Sequence, residues 1–240
     1  MFEGFARRAL HTPRGEVCAR VGGEGPPLLL LHGYLVAAMA DAGFESFAVV
    51  GHDRGGRVGY RMALDHPARV TRLAVLDIVP TLEFWQRIDP GSALLYWHWT
   101  FLSQPAPMPE RMIAADPDGF FEHLRRIGLG AAKGRYPDTV MAAYRAQLDD
   151  PATVEGFCED YRAGATVDRE HDADRGTIAC PVMALWGARG ALEAFYDDVL
   201  AVWRPWAPDL RGHAIDASHF LVEDEPEAVT AELLAFLGPS

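Results

Sequence analysis

The stretch Phe47-Ala48-Val49-Val50-Gly51-His52-Asp53-Arg54-Gly55-Gly56-Arg57 decides how the chain folds. An apolar run stops at a glycine, a polar turn follows, and residues 55–66 read as a helix that Pro67 ends. A second apolar run, 73–76, then stops at Asp77. Strand, tight turn, helix, strand is the βαβ unit of a parallel sheet. Residues 27–31, before His32-Gly33, and 182–186, before Gly187, are further apolar runs. None of the four alternates, as expected of strands covered by helices on both faces. Residues 192–203 and 226–237 read as helices, with a strand near 212–215. From 81 to 175 the chain is instead aromatic-rich, mostly helical and punctuated by prolines. The expected organisation is therefore an α/β core of residues 1–80 and 176–240, with a helical cap, 81–175, inserted between two strands of one sheet.

Length and composition agree with a folded globular protein. The chain has 240 residues, of which 49% are hydrophobic and 23% charged, a balance that excludes a disordered polypeptide. The net charge is −12, so the mean field repels nucleic acids and anionic membrane surfaces, and neither is an expected partner. A small anionic substrate needs local cations to draw it in against that field, and Arg54 and Arg57 form such a pair. Cys18, Cys158 and Cys180 lie far apart without CxxC spacing, which argues against a disulfide framework or a zinc site and fits a reducing compartment. The N-terminus lacks the apolar core of a signal peptide, and no stretch reaches the ~18 apolar residues of a membrane span. A cytoplasmic location is expected.

The turn around Asp53 carries the chemistry. Its pattern is that of a nucleophile elbow, G-x-S-x-G, with Asp in place of Ser. Small neighbours let strand and helix close while the central side chain projects above the sheet. A carboxylate is already ionised near neutral pH, so it needs no base for attack on a saturated carbon. Hydrolysis of the resulting ester does need one. His219, after the last expected strand, is positioned in chain order to activate that water. Asp77 is the preferred carboxylate to orient the imidazole, with Glu193 as the alternative. The turn His32-Gly33-Tyr34 has the look of an oxyanion loop, in which the Tyr34 N–H joins that of Arg54.

Taken in order, Gly51-His52-Asp53-Arg54-Gly55-Gly56-Arg57, Asp65-His66-Pro67, Leu76-Asp77-Ile78, Tyr96-Trp97-His98-Trp99 and Glu159-Asp160-Tyr161-Arg162-Ala163-Gly164 give a chain that resembles the fluoroacetate (haloacetate) dehalogenases of the α/β-hydrolase superfamily. The resemblance runs from about Phe47 to the C-terminus. It implies Asp53 as nucleophile, His219 as base and Asp77 as its partner. It further implies Arg54 and Arg57 as holders of the substrate carboxylate, and His98, Trp99 and Tyr161 as hydrogen-bond donors to the departing halide. It implies no metal or cofactor, and a homodimer. Arg54 also separates the chain from haloalkane dehalogenases and many epoxide hydrolases, where Trp usually follows the Asp.

One feature departs from that pattern. Only 20 positions separate Gly33 from Asp53, where the fold ordinarily places a helix, a strand and another helix. At roughly 30 residues per βαβ unit the path should be about three times as long. The core is thus shortened between Tyr34 and Leu35, and residues 35–46 read as one amphipathic helix leading into the elbow strand. Direct parallel pairing across it is geometrically feasible. His171-Asp172-Ala173-Asp174 resembles a metal cluster only superficially and is expected to be a solvated loop. Cys158 and Cys180 are expected to be buried as small apolar residues. Three functions remain in view: 2-haloacid hydrolysis, epoxide hydrolysis by the same ester chemistry, and a catalytically silent relative on a shortened scaffold.

Overall fold

A computed structural model describes residues 4–12, 15–31, 36–128 and 136–238. Its strands are β1 (Ala6–Thr12), β2 (Gly15–Val21), β3 (Leu28–Leu31), β4 (Phe47–His52), β5 (Val70–Leu76), β6 (Val182–Gly187) and β7 (Leu210–Ile215). The helices up to β6 are α1 (Val36–Asp41), α2 (Arg54–Asp65), α3 (Thr81–Gln86), α4 (Pro90–Leu95), α5 (Trp97–Leu102), α6 (Met108–Ala115), α7 (Pro117–Gly128), α8 (Asp138–Ala146), α9 (Pro151–Ala165) and α10 (Val167–Ala173). After it come α11 (Ala191–Phe195), α12 (Val199–Trp203), α13 (Leu221–Asp224) and α14 (Pro226–Leu237).

Strands β3 to β7 form one parallel sheet in chain order, whereas β1 and β2 make a separate antiparallel hairpin that the apolar pattern did not reveal. Successive residues of the central strands point to opposite faces, and both faces are covered. Val49, Leu73, Val75, Val182 and Ala184 pack with α2, α12 and residues of the helical insertion. Val50, Ala74, Leu76, Met183 and Leu185 pack with Leu221, Val229 and Phe236 of α13 and α14. This is why those runs carry no polar alternation. Full burial of such a side chain is worth about 1.5–3 kcal/mol, and Trp203 and Trp206 are buried completely.

The shortened path leaves no gap between β3 and β4, which pair directly with Leu28 opposite Ala48 and Leu31 opposite Gly51. The connecting helix is shorter than the sequence suggests. Within the expected helix 35–46, α1 ends at Asp41, because Gly43 turns the chain at φ 91° and its N–H bonds back to Ala40. Leu35 lies outside the described residues. The expected helix 192–203 is likewise two helices, since Asp198 leaves helical geometry and its carboxylate caps α12 by accepting the Ala201 N–H at 2.9 Å.

Helices α3 to α10 all lie between β5 and β6, which pair side by side. The segment His171-Asp172-Ala173-Asp174 does not form the solvated loop that its composition suggests. His171, Asp172 and Ala173 belong to α10, and Asp172 is completely buried. Its carboxylate accepts from the Tyr60 hydroxyl at 2.8 Å, the Leu82 N–H at 3.1 Å and Arg61 at 3.3 Å. It thereby ties α10 to α2 and α3. Asp172→Ala takes the acceptor from the Leu82 N–H and leaves Tyr60 and Arg61 only their contacts with Thr81, His171 and Asp65, and is expected to cost about 2 kcal/mol. A fall in the urea midpoint at constant m-value would register it, and an unchanged midpoint would refute the latch. Cys158 and Cys180 are buried, as expected.

Candidate active site

Asp53 stands at the junction of β4 and α2 with φ 48° and ψ −119°, a region sparsely populated by residues other than glycine. The bend survives because its neighbours fix it. Asp53 N–H donates to Leu76 O at 3.2 Å, and Asp53 O accepts from Gly56 N–H at 2.9 Å and Arg57 N–H at 3.2 Å. Gly51 is demanded by space, since a Cβ there would meet Gly55 O at 2.4 Å.

His219 lies in the turn between β7 and α13, with Nε2 3.9 Å from Asp53 Oδ2 and Nδ1 2.6 Å from Asp77 Oδ2. The first distance leaves the imidazole and the carboxylate within reach of one shared water. Asp77 is the more constrained carboxylate. Its own φ is 52°, and its Oδ1 accepts the Gly187 N–H at 2.8 Å. Its side chain is 2% exposed, against 30% for Asp53 and 28% for His219. Glu193 is engaged elsewhere, accepting the Trp186 indole N–H at 2.6 Å.

Burial favours the uncharged forms, yet neighbouring charges favour the charged forms of both Asp53 and His219. Desolvation lowers the His219 pKa, but the hydrogen bond and charge of Asp77, then the charge of Asp53, raise it to about 9. Desolvation raises that of Asp53, but His219 and His52, then Arg54 and Arg57, hold the carboxyl below the ordinary range. The His219 shift stabilises the fold fully below the unfolded value near 6.5 and is lost as pH climbs through about 9. Removing the Asp53 charge removes one of the groups that hold the proton. In Asp53→Asn the His219 resonances are therefore expected to titrate at lower pH than in the wild type; an equal or higher midpoint would contradict this electrostatic account.

Arg54 and Arg57 lie beside Asp53 on the first turn of α2. Their guanidinium carbons lie 5.6 Å and 4.4 Å from the centre of the Trp99 ring, and Arg54 lies 4.7 Å from that of Tyr161. Arg57 donates to Val79 O at 3.0 Å and to the Thr81 hydroxyl at 3.2 Å. Arg54 is less free than the sequence suggests. It forms an ion pair with Asp160 and donates to that residue's carbonyl at 2.9 Å. Even so, Arg54 Nη1 and Arg57 Nε are buried without a hydrogen-bond partner among the described residues. Burial, then the charge of Arg54, lowers the Arg57 pKa, and a bound anion would counter both.

His98 and Trp99, on α5, and Tyr161, on α9, cluster above the same region. The Tyr161 ring centre lies 5.9 Å from that of His98 and 5.6 Å from that of Trp99. His98 Nδ1 is another buried atom without a partner among the described residues. Burial, opposed by the Asp53 charge, brings the His98 pKa down to about 4, so the ring is neutral near pH 7. Tyr34, the other half of the expected oxyanion loop, lies outside the described residues.

The sequence reading missed two residues near the site. His52, beside Asp53, donates from Nε2 to His219 O at 2.9 Å, and its ring centre lies 4.8 Å from that of His219. Burial, then the charge of His219, lowers its pKa to about 4, which keeps it neutral. Asp160 precedes Tyr161 in a quoted motif, but its pairing with Arg54 spans 106 positions and leaves no local signal.

A parallel sheet with a strained carboxylate turn and a histidine after its last strand defines an α/β hydrolase, and the matching family model, alpha/beta hydrolase fold, covers residues 31–226. The chain is 38% identical to a fluoroacetate dehalogenase from Burkholderia sp, over 99% of this chain and 95% of the relative. That alignment runs over 292 positions against the 240 residues here, so the relative carries residues that this chain lacks. Among solved structures, one described as an α/β hydrolase from Nostoc sp PCC 7120 superposes with TM-score 0.94 at 34% identity, covering 100% of both chains. Another, described as an epoxide hydrolase from Pseudomonas aeruginosa, gives 0.87 at 37% identity, covering 98% of this chain and 95% of its own. The chain belongs to the fluoroacetate dehalogenase family of α/β hydrolases.

Proposed function

We propose that the protein hydrolyses the carbon–halogen bond of a small 2-haloacid, of the fluoroacetate or chloroacetate type, to a 2-hydroxyacid and halide. The observation that carries this reading is the ionised Asp53 on its strained turn, facing His219 and flanked by two arginines with unused buried donors. Arg54 and Arg57 bind the substrate carboxylate and offset its repulsion from Asp53. An Asp53 oxygen attacks the carbon bearing the halogen, the carbon–halogen bond breaks with its electron pair, and the halide leaves toward His98, Trp99 and Tyr161. Fluoride is small and strongly basic, so donors placed where its charge develops lower the barrier most.

The product of that step is an ester, and its formation cancels the Asp53 charge that helps keep His219 protonated. His219 then gives its proton to solvent and, as a neutral imidazole, takes a proton from water while the hydroxide adds to the ester carbonyl. The oxyanion collects at the Arg54 N–H. Collapse returns the proton to the departing 2-hydroxyacid and restores the Asp53 carboxylate. Halide release from haloacetates by the purified protein tests the proposal, and a folded protein that releases none overturns it.

The likeness to the Pseudomonas structure motivates a second reading, epoxide opening through the same ester. Arg57 separates the two. Arg57→Leu is expected to raise KM for a haloacetate about 30- to 150-fold, as loss of a charge-assisted contact worth about 2–3 kcal/mol requires. Under the epoxide reading an uncharged epoxide is turned over and that substitution leaves its KM nearly unchanged.

A further inference from the structure

We infer that Asp224, itself held by Tyr136 of the helical insertion, positions the loop carrying His219, so that the insertion sets where the base stands. Asp224 is the last residue of α13, the one-turn helix just after the histidine. Its Oδ2 accepts the Ser218 N–H at 2.8 Å and its Oδ1 accepts the Tyr136 hydroxyl at 2.8 Å. One carboxylate thus joins the backbone next to His219 to a residue 88 positions away in sequence. The Tyr136 ring also lies 6.4 Å from that of Phe220, on the other side of the histidine.

Other ties on this loop come from the sheet side of the molecule. Arg189 N–H donates to Ala217 O at 2.9 Å, Arg189 Nη1 donates to Asp216 O at 2.7 Å, and His52 donates to His219 O. The link through Asp224, which the hydrogen bond between the Tyr136 and Ser218 side chains accompanies, instead runs to the insertion that also carries His98, Trp99 and Tyr161. Tyr144 makes a parallel contact, its hydroxyl donating to Glu223 at 2.5 Å, but among the described residues the Glu223 carboxylate accepts nothing from Ser218. Asp224 and Tyr136 make no hydrogen bond to Asp53 among the described residues and act through His219. The catalytic half of the inference rests on the proposed ester mechanism, in which His219 serves the second step and not the first.

Two readouts test it. Amide exchange at Ser218, which needs no substrate, is expected to rise about tenfold in Asp224→Ala, as loss of about 1.4 kcal/mol of local stability requires. It should rise by a smaller factor in Tyr136→Phe and stay unchanged in Tyr144→Phe. In pre-steady-state kinetics, Asp224→Ala and Tyr136→Phe should keep the rate of the first halide release while ester hydrolysis slows, so that alkylated protein accumulates at steady state. Unchanged Ser218 exchange in Asp224→Ala, an equal rise in Tyr144→Phe, or equal slowing of both chemical steps would overturn the inference. A wild-type chain that releases no halide overturns the proposed reaction instead, and the exchange pattern then still decides whether the tether exists.

Discussion

Asp53→Asn is expected to abolish haloacetate turnover, lowering kcat/KM by about 10⁴-fold or more. The neutral amide has nearly the shape of the carboxylate but lacks the charge that attacks a saturated carbon, and such a loss corresponds to roughly 5 kcal/mol of barrier. The proposed halide donors and the two arginines are untouched by the change, so haloacetate should still bind. Steady-state halide release checks the rate, and calorimetric titration with the unreacted substrate checks the binding. If His219 instead drove water directly onto the halogen-bearing carbon, the variant would keep a large part of its activity.

His219→Asn should produce a different failure. Alkylation of Asp53 needs no base, so the first halide is released at close to the wild-type rate, after which the ester persists. General-base catalysis contributes about 10²–10⁴-fold, and steady-state turnover should fall by that factor. Rapid mixing should show a burst of one halide per active site followed by near silence. Intact mass should show a protein heavier by the acid fragment. Loss of the burst together with turnover would mean that the imidazole already acts in the first step.

The reach of the sequence can be judged from particular residues. Asp53 was legible because a strand, three glycines and a helix signal sit within eleven positions, and the bend they impose is local. His219 was legible from its place after the last strand. Asp77 could only be preferred over Glu193, because both are carboxylates near strand ends. The structure separates them by what each one touches: the imidazole for Asp77 and the Trp186 indole for Glu193. Interactions between distant segments were invisible. The Asp160 partner of Arg54 and the Tyr136 tether of Asp224 depend on how the helical insertion lies on the core, which no spacing encodes. Asp172 was misread for a related reason. A charged residue in a polar segment suggests solvent, and only the converging donors of Tyr60, Leu82 and Arg61 make its burial tolerable. The β1–β2 hairpin was missed as well. Most of its residues are exposed, so no apolar face marks it in the sequence.

The shortened segment affects the sheet less than chain length suggests. With β3 bonded directly to β4, the strand that carries the elbow keeps a partner on each side. Asp53 is therefore supported as an interior strand end would be, although β3 exposes Leu28 and Leu30 on one face. Support for Asp53 and the outer boundary of the sheet are thus separable properties of this fold.

The ester on Asp53 is the claim on which the rest depends. A single turnover in ¹⁸O-enriched water, with protein in excess over haloacetate, tests it most directly. Water that attacks the ester carbonyl leaves its oxygen in the side chain, so the peptide containing Asp53 should gain ¹⁸O while the 2-hydroxyacid hydroxyl stays unlabelled. Label in that hydroxyl after the first turnover, with none in the peptide, would contradict the account.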